Sequence, residues 1–95
     1  MATPEGAVKA KIKDYLKSLG VWQFSPPANG FGRSGIPDLI CCWQGRFIAI
    51  EVKAPGKLKN TTTMQDREIA QINAAGGTAL VVDDVSQLKP IFEST

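Results

Sequence analysis

Ninety-five residues, 43% hydrophobic and 21% charged, are one small globular domain's worth of chain, and this composition excludes a disordered, collagen-like or disulfide-dense class. The absence of histidine excludes His-based triads and most zinc sites, so any chemistry must come from carboxylates, lysines, hydroxyls or a hard metal. The net charge of +2 is uneven: residues 1–59 hold nine of the eleven Lys and Arg against four acids, residues 60–95 two against five, so the first half has the balance of a polyanion-facing surface.

Thr3-Pro4-Glu5 opens a first helix, with Thr3 as cap, Pro4 at the first helical position and an acid on the dipole. Val8, Ile12, Tyr15, Leu16 and Leu19 recur at helical spacing, Lys9, Lys13, Asp14 and Lys17 fall largely on the other side, and Gly20 stops the helix. Val21 to Phe24 is a short strand candidate. Residues 25–35, rich in Pro, Gly and Ser, form a long loop, of the kind that in compact domains is usually functional or mobile. Pro37 to Trp43 and Arg46 to Lys53 read as strands of one antiparallel hairpin turning at Gln44-Gly45. The adjacent Cys41 and Cys42 point to opposite faces and are expected as two reduced, buried thiols. After a polar loop over 54–62, a second helix is predicted from Met64 to Ala75, capped by Thr63 and stopped by Gly76-Gly77, with Ile69 and Ile72 on its buried face. Thr78 to Val82 suits a central strand, Asp83-Asp84 break it, and Val85 to Phe92 forms a last short helix limited by Pro90. The order αβββαβ, with a final α, fits a single domain over residues 1–95. No run approaches the ~18 apolar residues of a membrane span and no signal-like apolar region opens the chain, so a soluble, cytoplasmic protein without a membrane partner is expected.

The informative residues are charges set inside apolar strands. Side chains alternate along a strand, so Glu51 and Lys53 share one face and Ile50 and Val52 the other. With Gln44 and Gly45 as the turn, paired residue numbers sum to 89, which sets Asp38 directly opposite Glu51. Like charges facing each other destabilise a sheet, and a divalent cation between them reverses the sign of that contribution. Two carboxylates, water and a main-chain carbonyl suit Mg²⁺ or Mn²⁺ rather than zinc. A salt-bridged Glu51–Lys53 pair with a structural role is the competing reading. Glu5 heads the apolar stripe of the first helix and points toward the core or a cleft beside it, or else simply serves the helix dipole. Gln65 shares the inward face of Ile69 and Ile72, where it is either part of a site or a satisfied buried amide.

Gly35-Ile36-Pro37-Asp38-Leu39, then Ile50-Glu51-Val52-Lys53, then Gln65 on the next helix, with Glu5 on the first, resemble the PD-(D/E)XK nuclease superfamily. Within it the chain is similar to the VRR-NUC family of virus-type replication and repair nucleases, over roughly residues 4 to 88. The resemblance implies a restriction-endonuclease-like α/β fold with a mixed central sheet flanked by helices. It implies Mg²⁺- or Mn²⁺-dependent hydrolysis of DNA phosphodiester bonds, with Asp38, Glu51 and the Val52 carbonyl as metal ligands and Glu5 acting on the metal or its waters. Lys53 would position or activate the attacking water, and Gln65 would orient the site. Stand-alone members resemble homodimeric resolvases of branched DNA such as four-way (Holliday) junctions, and Trp22, Phe24 or Phe31 would serve an interface of that kind. Arg33, Ser34, Lys57 and Lys59 lie on loops flanking the site and are candidates for DNA contact, whereas Asp83-Asp84 oppose it at the end of the last strand. A binding module that has lost catalysis on the same fold, or a plain interaction domain, are the alternatives.

Overall fold

The computed structural model describes residues 3–27 and 33–94. Helix α1 spans Pro4–Leu19, strand β1 Trp22–Phe24, β2 Leu39–Trp43, β3 Arg46–Val52, helix α2 Thr63–Ala74 and β4 Thr78–Val82. A 3-10 turn over Val85–Leu88 then leads into the short helix α3, Lys89–Phe92. The four strands form one mixed sheet in the order β1-β2-β3-β4, antiparallel except for the parallel β3–β4 pair. The element order is the one that the sequence pattern predicts, and the mixed sheet flanked by helices is the architecture that the resemblance implies.

Local chemistry accounts for the element ends. The Thr3 hydroxyl accepts the Gly6 N–H at 2.9 Å, and Gly20, at φ 78°, lets its N–H turn back onto the Leu16 and Lys17 carbonyls. Gln44 and Gly45 have φ of 51° and 78°, the paired positive values that a two-residue type I′ hairpin requires. That turn fixes the register: Trp43 faces Arg46 and Leu39 faces Ile50, with numbers summing to 89 throughout. Helix α2 starts one residue before the predicted Met64. Thr62 is its cap, not Thr63, because the Thr62 side chain and that of Gln65 each bond the other's backbone N–H.

The apolar stripe of α1 (Val8, Ile12, Leu16) packs on one sheet face against Leu39, Cys41, Ile48, Ile50, Val52 and Val82, closed at the end by Leu88 and Phe92. Fully burying each such aliphatic side chain is worth about 1.5–3 kcal/mol. Helix α2 covers β4 from the other face. Two further expectations need correction. Thr78–Val82 is an edge strand rather than a central one. It reads as apolar because both of its faces are covered, while the Asn73 amide hydrogen-bonds the N–H and carbonyl of Ala79 in place of a neighbouring strand. Cys41 is buried, but Cys42 is exposed, because it points to the part of the second face that no helix covers among the described residues. Ile69 and Ile72 do lie on the inward face of α2, half-buried, and its most buried member is Glu68, one turn after Gln65.

A candidate metal and phosphodiester site at the end of the hairpin

Asp38 lies one residue before β2, and continuing the register by one step sets it opposite Glu51 near the end of β3. Its Oδ2 accepts the Val52 N–H at 2.8 Å, and its Oδ1 accepts a hydrogen bond from Lys9 Nζ at 3.2 Å. Glu51 is 4% exposed. Its Oε2 accepts from Gln65 Nε2 at 2.9 Å and lies 3.3 Å from Lys53 Nζ. Lys53 also donates to Gln65 Oε1 at 3.1 Å, and that same oxygen accepts the Thr62 N–H at 3.0 Å. The Gln65 amide works only one way round: its oxygen faces two donors and its nitrogen a carboxylate. The capping box of α2 therefore fixes the rotamer that orients Lys53 and Glu51.

The charges at the site balance formally, Lys9 against Asp38 and Lys53 against Glu51, but Glu51 itself is incompletely compensated. Burial and the neighbouring charge of Asp38 push Glu51 up to about 7, and Lys53 opposes them only in part. Glu51 Oε1 is buried with no hydrogen-bond donor. An acceptor left unpaired in the interior is expensive, and a cation facing both carboxylates would satisfy it. The residues present thus fit a hard divalent ion. Among the described residues no group of three or more His, Cys, Asp or Glu side chains assembles, so an ion held by these two carboxylates would have to complete its shell with main-chain oxygens or water.

The other sequence candidates are distributed unevenly. Glu5 is half-buried in the first turn of α1 and is not brought together with the two carboxylates. One turn on, Lys9 does reach the site. Its spacing of four from Glu5 sets it at the border between the apolar stripe and the polar face of α1, from where a long side chain reaches Asp38. Arg33 Nη2 donates to Glu68 Oε1 at 2.8 Å, tying the loop before Asp38 to α2. Periodicity does not single out Glu68, since a buried acid on a helix announces itself only through its partner. Ser34, Lys57 and Lys59 are exposed on the flanking loops. The Asp83 carboxylate accepts the Gly56 N–H at 2.9 Å, which pins the loop carrying Lys57 and Lys59, and Asp84 caps the 3-10 turn. Trp22 and Phe24 are 59% and 49% exposed and stack with centroids 6.5 Å apart; Phe31 lies outside the described residues.

Gly35 sets the distance between the Asp38 loop and α2. Its φ is 86°, and a Cβ there would fall 2.4 Å from the Met64 carbonyl carbon and oxygen and 2.8 Å from Gln65 N. Gly35→Ala is expected to lose roughly 2–3 kcal/mol, a fall of about 10–20 °C in Tm for a domain of this size, because left-handed strain and a backbone clash add. Thermal denaturation checks this; an unchanged Tm would show that the loop does not bear on α2.

No family model matches the chain, and no curated protein does. Among solved structures, a chain described as a VRR_NUC domain is similar, with 33% sequence identity, a TM-score of 0.74, and 95% of this chain matched to 96% of that one.

Proposed function

The chain belongs to the VRR-NUC family, a family of nuclease domains, and from that premise we propose that it is a Mg²⁺- or Mn²⁺-dependent DNA endonuclease of the PD-(D/E)XK type acting on branched DNA. The observation that carries the reading is the buried, donor-less Glu51 Oε1 beside Asp38, with Lys53 and Gln65 on the other Glu51 oxygen. Asp38, Glu51 and the Val52 carbonyl would hold the ion. When bound, it supplies an acidified water and charge to stabilise the phosphorane. Lys53 places a fixed ammonium beside the reacting phosphate, where developing negative charge is stabilised. Gln65 keeps that ammonium and the Glu51 carboxylate in one orientation, so that little reorganisation is needed during reaction.

Substrate and assembly follow the same reading. A two-fold homodimer would present two sites to two strands, which suits paired incisions at a four-way junction. Trp22, Phe24 and the 46%-exposed Phe47 form an apolar surface consistent with such a partner. Among the described residues no helix is long and apolar enough to cross a membrane. The deciding experiment incubates duplex, flap and four-way junction DNAs with the protein in Mg²⁺, Mn²⁺ or EDTA. Metal-dependent nicking of the junction in preference to duplex is expected. Binding without nicking of any substrate would instead favour a module that has lost catalysis. Light scattering should give twice the chain mass.

The raised Glu51 also predicts how metal uptake depends on pH. The ion needs the deprotonated carboxylate, so protons compete below about 7. Mn²⁺ affinity is expected to fall about tenfold per pH unit below about 7 and to level off above it, as measured by calorimetry between pH 5.5 and 8.5. A flat profile would show that no carboxylate with a raised pKa is coupled to uptake of the ion in this range.

A further inference from the structure

We infer that Lys9 is a placeholder cation: its ammonium occupies the cation side of Asp38 in the metal-free protein and must withdraw from Asp38 Oδ1 when a divalent ion is taken up. The inference rests on the nuclease reading above and deepens it by naming the residue that sets metal affinity from outside the ligand set.

Two lysines neutralise the two facing carboxylates, but they are held differently. Lys53, with a side chain 11% exposed, is anchored at both Glu51 and Gln65, on the strand that carries Glu51. Lys9 comes from α1, a separate element, and Asp38 Oδ1, 3.2 Å from its Nζ, is its one partner among the described residues. Its side chain is 32% exposed, so the flexible four-carbon stem has solvent to move into. Asp38 Oδ2 is fixed by the Val52 N–H, which leaves Oδ1 as the oxygen free to exchange partners. With both lysines in place the cluster of four side chains is formally neutral. Adding a divalent ion without losing a lysine would put three cationic centres on two carboxylates. The ammonium with the weaker hold and the open exit is that of Lys9. Lysine and ion therefore compete for one oxygen, and removal of the lysine must strengthen binding of the ion by the same coupling that lets the ion expel the lysine.

A merely structural salt bridge predicts the opposite, because loss of Lys9 would loosen Asp38 and weaken the site. The test is Mn²⁺ calorimetry at pH 8 and fixed ionic strength on the full chain as wild type, Lys9→Met and Lys13→Met. Lys13, exposed and one turn further along α1, removes the same charge from the same helix and corrects for the general field. Lys9→Met should bind Mn²⁺ about fivefold or more tighter than wild type, with Lys13→Met within about twofold, and its Mn²⁺-induced rise in Tm should be the larger. Lys9→Arg, which keeps the cation, should stay close to wild type. If wild type binds Mn²⁺ and Lys9→Met binds it no tighter than Lys13→Met, the placeholder role is overturned and the nuclease reading stands. If wild type takes up no Mn²⁺ at all, both fall together.

Discussion

Glu51→Gln should reduce cleavage by at least about 10²–10³-fold while leaving the metal-free protein as stable as wild type or more so. The carboxylate is buried, faces Asp38, has one oxygen without a donor, and is pushed up to about 7. An amide of the same shape keeps an oxygen to accept the Gln65 N–H and brings an N–H that can face Asp38, so the repulsion becomes a contact. The sign with pH follows from the direction of the shift. A carboxyl whose folded pKa is raised destabilises the native state progressively as pH climbs from the unfolded value near 4.3 to about 7, and fully above it. The advantage of the amide, on the order of 1 kcal/mol and about 4–8 °C in Tm, is therefore present at pH 8 and fades toward pH 4.5, where both side chains are neutral. Single-turnover cleavage and metal-free melts at the two pH values measure both halves. A clear drop in Tm at pH 8 would mean that the Glu51–Lys53 ion pair is structural and that the metal reading of Asp38 and Glu51 is wrong.

Lys53→Met should separate catalysis from binding at the same place. The lysine is 9% exposed and touches Glu51 and Gln65. If it acts in the transition state, turnover falls by about 10² or more, while affinity for Mn²⁺ and for junction DNA stays within a few-fold of wild type. If it only compensates Glu51, the rate at saturating metal and enzyme barely moves and the loss appears in Tm. Single-turnover cleavage of a labelled junction is the measurement, and a rate within threefold of wild type would remove Lys53 from the mechanism. Gln65 makes the result interpretable. It remains bonded to Glu51 and to Thr62 when Lys53 is gone, so the carboxylate keeps its orientation and only the ammonium is lost.

The amino-acid sequence alone determined the hairpin and, through it, the heart of the site. A two-residue turn at Gln44-Gly45 and the period of two along a strand are local rules. Together they place Asp38 opposite Glu51 and put Lys53 on the same face, with no knowledge of what packs where. The limits of α1 were legible for the same reason, since Thr3, Pro4 and Gly20 act on their immediate backbone. Tertiary structure decided everything that depends on which element lands on which face. Lys9 reads as a solvated lysine until α1 docks beside Asp38, and Glu68 reads as a surface acid until the loop brings Arg33 to it. Thr78–Val82 looks central although it lies at the sheet edge, because hydropathy reports burial by helices and by strands alike. Cys42 is exposed because, among the described residues, no helix covers the second face of the sheet around it, a fact that no alternation pattern contains. Periodicity fixes the direction of a side chain relative to its own backbone. What it meets there is set by packing between elements far apart in sequence, where burial of apolar area outweighs local preference.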